Sequence, residues 1–330
     1  MPYQDAIYGA IEISDPVLID LMNSAALQRL KGISQHGISG WLGITAPVTR
    51  FEHSVGALWL TRHLGASLQE QIAALLHDVS HTVFSHVIDY AIELEAEASY
   101  HEVKKEQFIA SSDLPPILAA HGYDWRDVLD EAAFSILEQP APALCADRLD
   151  YFFRDGIGLG LVSETDVSRV LNHLIVYQGR IGMTDLAIGA WLAKTYMAMD
   201  QTSWAHLREV GLYSIMALVI RDALDGGFIS EEDFWTTDAI FWEKLQQIHD
   251  DSLQQSLDLI STQTRFYYDR EEADFSVDVK LRTIDPDIIM DGQSRRLSVL
   301  DEPFARVRDM YMELANDPWP IRMDGEKAVR

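Results

Sequence analysis

Cysteine is nearly absent: Cys145 is the single one in 330 residues. One thiol excludes an intrachain disulfide and any zinc site built from several cysteines of this chain, and it fits a reducing compartment. Basic residues are also scarce, Lys+Arg 26 against Asp+Glu 52, for a formal net charge of −26. That deficit argues against a nucleic-acid scaffold and against an anionic-membrane binder, since both need a basic footprint. Long apolar runs are missing as well. Stretches such as Ile72 to Leu76 fall far short of the roughly 20 residues a membrane helix needs. The opening MPYQDAIYGAIEISDP brings acids early and no apolar run, unlike a secretory signal or an Arg-rich transit peptide. With no internal repeat and no low-complexity tract, a solenoid is not expected. We expect a soluble cytoplasmic protein.

What is present is core material. The chain is 48% hydrophobic and 24% charged, with eight tryptophans, so disorder is excluded as the main state. Its length suits one large domain, or one domain plus an appendage. Helical periodicity dominates. Ser14-Asp15-Pro16 predicts a helix start, and apolar residues recur at helical spacing in 54–64, 68–79, 127–138, 166–174, 188–199 and 207–224, the last ending at Gly226-Gly227. Pro115-Pro116, Pro140-Ala141-Pro142 and the Gly156, Gly158, Gly160 series read as loops. After a short alternating piece at 10–13, strict alternation returns only at Val277 to Thr283, which reads as a strand with Thr264 to Tyr268 as its partner. The expected architecture is all-α, a helical bundle over 1–260, with a small mixed α/β appendage over 261–330. Arg295-Arg296 and Trp319 in that tail receive no role.

Histidine is what the chain concentrates: His53, His63, His77, His81, His86 and His101 fall in one stretch. His63 reads as an ordinary packed or surface residue. His77-Asp78 closes an apolar helical run, and the spacing predicts that His81 shares a helix face with His77. Asp89 lies three residues after His86, within reach if that stretch is helical. Imidazole with carboxylate suits a borderline or hard divalent ion such as Mn, Fe, Co, Ni or Zn. Adjacent helical positions point about 100° apart, so His77 and Asp78 can share an ion only where other helices cross. His53 and Asp147 are candidates to complete the set.

The order His53, then His77-Asp78, then Asp147 resembles the H…HD…D signature of the HD-domain metal-dependent phosphohydrolases. The flanks RFEHSVG, ALLHDVSHTVFSH and ADRLDYFFRD are similar to those of the deoxynucleoside triphosphate triphosphohydrolases within that family, over roughly residues 15 to 255. The resemblance implies an HD helical bundle and one divalent ion (Mn, Fe, Ni, Zn, Co or Mg) on His53, His77, Asp78 and Asp147. It implies that His81, His86, Asp89 and His101 serve catalysis or contact phosphates, that Arg50 and Arg148 touch the phosphate chain, and that Gln28, Asp155 and Tyr151 hold a deoxyribose. A second ion on His86 and His101, bridged by Asp78, stays open. So does self-association.

Two departures stand out: Ser80 replaces the usual Gly of the HD turn, and Thr82-Val83 replace Gly-Pro. The pocket shape is expected to differ there, while the turn should survive. In so acidic a chain, a nucleotide site must gather its few cations, and Arg29, Lys31, Arg50, Arg148 and Arg154 lie in or beside the motif blocks. The activity the resemblance implies is cleavage of deoxynucleoside triphosphates to deoxynucleoside and tripolyphosphate; rival readings are a phosphatase for nucleoside monophosphates or another phosphate ester, a non-catalytic metal and nucleotide sensor, and a zincin-like His77/His81 zinc helix with Asp78 in place of the general base.

Overall fold

The computed structural model describes residues 1–92 and 99–324. Helices dominate, but nine strands in three sheets are present among the described residues, so the all-α expectation is corrected to a helical fold with small sheets. The strands run only three to six residues each, too short for alternation to stand out in the sequence. The first is an N-terminal hairpin, Pro2–Asp5 against Gly9–Glu12, with Tyr3 opposite Ile11. Asp5 builds its turn by accepting the Ile7 and Tyr8 N–H groups at 2.8 and 3.0 Å, and Gly9 supplies a φ of +73°.

Helix Pro16–Met22 starts at its proline. Helix Arg50–His63 begins with a reciprocal capping box, Thr49 with Glu52, and is buried along most of its length. It packs on Leu68–Leu76, whose Ile72, Leu75 and Leu76 are buried. That second helix stops at Leu76, and the chain then turns through 77–86. His77 and His81 therefore do not share a helix face, and the zincin-like arrangement loses its helix. Two non-glycine residues in this turn, Phe84 and Ser85, have φ near +53° and +54°, a strained conformation that surrounding contacts must enforce. Asp238 accepts the Phe84 N–H at 2.7 Å, and the Ser85 hydroxyl donates to Ser34 O at 2.6 Å. The turn survives the Ser80, Thr82 and Val83 replacements in that form.

Other expectations also need correction. Segment 127–138 is not an α-helix but two short 3₁₀ turns, Trp125–Val128 and Glu131–Ala133. Pro115 and Pro116 lie in the first turn of helix Leu114–Ala120 rather than in a loop, because proline's fixed φ and missing donor suit that position. Helix Ala146–Gly158 runs through Gly156 and Gly158. There glycine serves close packing: a Cβ on Gly156 would press on Val162, and one on Gly158 would come 2.6 Å from the Ala46 Cβ. Gly160, with φ +71°, ends the helix.

The chain after 260 is stitched into the bundle. Strand Asp287–Met290 pairs in parallel with Arg180–Met183, inside a sheet that also holds Leu174–Tyr177 and Gln293–Arg296. Arg265–Tyr268 and Phe275–Val277 do not pair with each other; Trp319–Asp324 lies between them. Segment 278–283 belongs to no strand. Two apolar clusters result, one around helices 16–22, 68–76 and 207–225, the other around 146–158, 186–199 and the C-terminal segment. Helix Arg50–His63 spans both, with Phe51 and Val55 in the first and Leu60 in the second. Among the described residues no helix is long and apolar enough to cross a membrane.

Phe266 covers Gly211 of helix Leu207–Asp225, leaving no room for a methyl group. Gly211→Ala is expected to cost about 1–3 kcal/mol through overpacking, read as a lower midpoint in thermal or urea unfolding. An unchanged midpoint would show that the C-terminal sheet is loosely docked there.

Candidate active site

The histidine and aspartate blocks converge at the seam between the two clusters. His53 comes from helix Arg50–His63, His77 and Asp78 from the turn after Leu68–Leu76, and Asp147 from the first turn of Ala146–Gly158. His53 Nε2 lies 3.1 Å from His77 Nε2, 2.9 Å from Asp147 Oδ1 and 3.5 Å from Asp78 Oδ2. His77 Nε2 lies 3.5 Å from both Asp78 Oδ1 and Asp147 Oδ1. The outer nitrogens are occupied: His77 Nδ1 faces Ala74 O at 2.7 Å, and His53 Nδ1 faces Asp150 Oδ2 at 2.7 Å. Each ring thus keeps its proton on Nδ1 and turns the Nε2 lone pair inward, the tautomer a metal ligand needs. Two lone pairs facing each other beside two carboxylates fit a divalent cation. Without one the cluster must hold a proton: burial opposes it, but hydrogen bonds to Asp147 and Asp150 outweigh burial and push His53 up to about 10. Asp147 is held well below the usual carboxylate range by His53 and His77, against the opposing effect of desolvation.

Beside this set stands a second histidine group. His81 and His101 stack at 3.6 Å between ring centroids, and His86 meets His81 edge-on at 4.9 Å. Burial, then the Arg50 charge, push His81 well down; burial and then His86 push His101 down to about 3. Burial thus disfavours the charged form of both rings. His86 caps the short helix Val87–Ala91 and donates Nδ1–H to Asp89 Oδ2 at 2.9 Å, while Asp89 Oδ1 accepts the Tyr100 N–H at 2.7 Å. Arg50 bridges the two groups, donating to Asp78 Oδ2 at 2.6 Å and to Ser85 Oγ at 2.9 Å.

A cavity of about 980 Å³ opens over both groups. Tyr151 and Asp155 line it as expected, with Asp155 fixed by His36 Nε2 at 2.8 Å and Trp204 Nε1 at 2.7 Å. Gln28 does not reach it, since its amide is turned back to Met22 O. Gln35 stands in the wall instead, with its buried side-chain oxygen unpartnered. Arg148 is also absent from the wall. It is held by Ala143 O at 2.6 Å, Glu138 Oε1 at 3.1 Å and Cys145 Sγ at 3.0 Å. Glu138, Cys145 and Asp147 bring ligand atoms within 4.8 Å of one another, but that guanidinium already supplies their positive charge.

The expected pooling of cations does not occur. Of the five basic residues in the motif blocks, only Arg50 lines the cavity. Arg29 donates to Val79 O and His81 O, Lys31 sits over the Phe51 ring, and Arg154 is buried between Asp5 and Asp150. Among the described lining residues, nine carboxylates (Asp78, Asp89, Glu102, Glu131, Glu138, Asp147, Asp155, Glu209, Asp278) face three Lys or Arg side chains (Arg50, Lys280, Arg282). Lys280 and Arg282 lie on the segment beyond 277, some 130 residues from the nearest motif, and no local pattern marked them. Arg282 is anchored by its own N–H to Asp200 Oδ2 at 2.6 Å. Sequence reasoning also missed Asp150 as the partner of His53; the only signal was its place one helical turn after Asp147.

The chain is similar to several known proteins. The HD domain family matches residues 50–155. The metal-dependent phosphohydrolase cns2 of Cordyceps militaris is 37% identical over 94% of this chain and 91% of its own. Human deoxynucleoside triphosphate triphosphohydrolase SAMHD1 is 26% identical over 70% of this chain and 44% of its own. A hypothetical protein from Aquifex aeolicus has the same fold, with a TM-score of 0.72 at 18% identity, covering 96% of this chain and 99% of that one.

An ion entering the cluster has to displace the proton that the His53 side holds up to a pH of about 10. Apparent affinity therefore rises with pH through the neutral range, about tenfold per unit for one displaced proton. Titration with Co(II) across that range, monitored calorimetrically, measures both affinity and proton release. A pH-independent affinity would show that no proton occupies the cluster.

Proposed function

The chain belongs to the HD-domain metal-dependent phosphohydrolases, and from that premise we propose that it hydrolyses a phosphate monoester of a nucleoside-sized molecule. The observation that carries this reading is the charge of the cavity wall: beyond the ion ligands Asp78 and Asp147, seven carboxylates, of which burial pushes Glu138 and Glu209 up to about 7, face three Lys or Arg side chains. A bound divalent ion and Arg50 suffice for a single phosphate. Each further phosphate in a triphosphate adds negative charge that this wall repels.

His53, His77, Asp78 and Asp147 are the residues that would hold the ion. When bound, it supplies a Lewis acid for a phosphoryl oxygen and a water of lowered pKa. Arg50, fixed by Asp78 and Ser85 at the cavity wall, orients the phosphate and offsets charge developing on it. His81 and His101, stacked on one another, offer hydrogen bonds to phosphoryl oxygens. His86 has the one half-exposed ring of the group, and Asp89 fixes its Nδ1 proton. Its Nε2 is thus free to deliver a proton to the leaving oxygen. Tyr151, Trp204 and Asp155 form the wall for the organic part, Gln35 adds an open hydrogen-bond acceptor, and Lys280 and Arg282 belong to the same wall.

Hydrolysis of deoxynucleoside triphosphates is the second reading. Tyr151 and Asp155 favour it, since the resemblance of ADRLDYFFRD gives them a deoxyribose contact and both line the cavity.

Incubation of metal-loaded protein, with Mn and separately with Mg, against nucleoside monophosphates, dNTPs and rNTPs decides between them. Orthophosphate from monophosphates, with triphosphates turned over more slowly, is the expected result. Deoxynucleoside plus tripolyphosphate would overturn it in favour of the second reading, and no turnover of any phosphate ester would leave a sensor. His86→Ala is expected to lower kcat by about 10²–10⁴, with Asp89→Asn following in kcat and little change in KM. An unchanged kcat in both variants would remove His86 as the proton donor.

A further inference from the structure

The first strand pair of the molecule reaches the centre through buried hydrogen bonds. Tyr8 Oη donates to Asp150 Oδ1 at 2.8 Å. Asp150 Oδ2 takes two donors, His53 Nδ1 at 2.7 Å and Arg154 Nε at 2.7 Å. Arg154 Nη2 in turn donates to Asp5 Oδ2 at 2.8 Å, and the other oxygen of Asp5 accepts the Ile7 and Tyr8 N–H groups that shape the hairpin turn. Asp5, Asp150, Arg154 and His53 are all buried, each at most 4% exposed. The Tyr8 ring is stacked on Trp59 of the His53 helix, 4.2 Å between centroids at 14°. Space is tight: a Cβ on Gly56, one turn after His53, would overlap both the Asp150 carboxylate and the Arg154 guanidinium.

We propose that Tyr8 and Asp5 are positioning residues of the metal centre, holding Asp150 and Arg154 so that His53 presents Nε2 to the ion. The inference rests on the reading that His53, His77, Asp78 and Asp147 hold that ion. A carboxylate behind a ligating imidazole fixes the ring's tautomer and orientation and raises its basicity. Asp150 can do so only while its own position is fixed. Its two oxygens accept from three donors on three different segments, and the one from outside the bundle is the Tyr8 hydroxyl. Arg154 lies between two buried carboxylates, Asp150 and Asp5. Loss of the Asp5 charge lets the guanidinium settle wholly on Asp150, drawing the carboxylate off His53. The hairpin lies outside residues 50–155, the part that matches the HD domain, so a fragment limited to that domain would lack these contacts.

The test uses the full chain stripped of metal and titrated with Co(II), reading affinity and the visible absorption of the bound ion. Tyr8→Phe removes one oxygen and keeps the stack on Trp59. It is expected to weaken Co(II) binding about tenfold, the scale seen for partners behind metal ligands, to alter the visible spectrum, and to reduce the rise in Tm on metal addition. Asp5→Asn is expected to do the same. Phe304→Leu, a buried change in the C-terminal helix Glu302–Met312, should lower Tm without moving affinity or spectrum, so that destabilisation and misplacement are told apart. Wild-type affinity and spectrum in Tyr8→Phe and Asp5→Asn, whatever their Tm, overturn the proposal. Should Asp5→Asn fail to fold, Tyr8→Phe alone decides. A His77→Ala protein that binds Co(II) as tightly as wild type would instead refute the ligand assignment.

Discussion

Two imidazole Nε2 atoms 3.1 Å apart, with oxygens of Asp78 and Asp147 beside them, are buried where two apolar clusters meet. Such a set is tolerable only with positive charge at its middle, since burying like dipoles and carboxylates together is otherwise too costly. The surrounding structure is arranged about that need. Ala74 O and Asp150 take the outer histidine protons, Arg50 leans on Asp78, and Arg154 neutralises Asp150 from behind. Helix Arg50–His63 has to span both clusters because His53 must meet ligands supplied by each side. The strained turn at Phe84 and Ser85 belongs to the same arrangement: it puts the Ser85 hydroxyl under Arg50 and starts the helix that His86 caps.

The chain as a whole is acidic, and the cavity shares that character. A strongly negative protein repels anions at long range, so recognition of a phosphate has to be short-range and metal-led. That explains why most arginines beside the motifs serve the fold instead. Arg29 satisfies the carbonyls of the turn after His77, and Arg148 closes the loop 138–145 onto its helix. Carbonyl oxygens in turns have no helical partners of their own, and an arginine with five donors can satisfy several at once. A basic residue near a motif is therefore as well explained by loop closure as by phosphate contact, and spacing alone does not separate the two.

How much of this was legible in the sequence follows from how local each signal is. The helix start at Pro16, the apolar faces of 54–64 and 68–76, and the end of the long helix at Gly226 depend on neighbours within a turn or two, and they were legible. The three histidine and aspartate blocks were legible because several side chains agree in each. His81 was misplaced because Ser80 and Thr82 carry no helix-stop signal, so the apolar period of the preceding helix was extended past its end. Gly156 and Gly158 misled for a different reason: glycine read as a turn residue was there to let Val162 and Ala46 approach. Gln28 lies in the short helix Ala25–Arg29 and Gln35 in the turn before helix Gly37–Trp41, and only the packing of the Ser34 to Gly37 segment against the 84–85 turn brings the second to the cavity.

What was least legible was contact between distant segments, and the site depends on it most. Asp150 looks like one more acid in ADRLDYFFRD until the hairpin at the other end of the chain is seen to hold it. Lys280 and Arg282 sit in a segment whose alternation suggested a strand. The chain there instead belongs to no strand and is held at Arg282 N by the buried carboxylate of Asp200, which also accepts the Tyr311 hydroxyl at 2.8 Å. A true strand at 278–283 would have spent its backbone on a neighbouring strand. Left unpaired, it runs along the cavity and adds Lys280 and Arg282 to a wall rich in acids. The same segment whose pattern was misread thus brings the C-terminal region into the site, and the motif helices alone do not complete the wall.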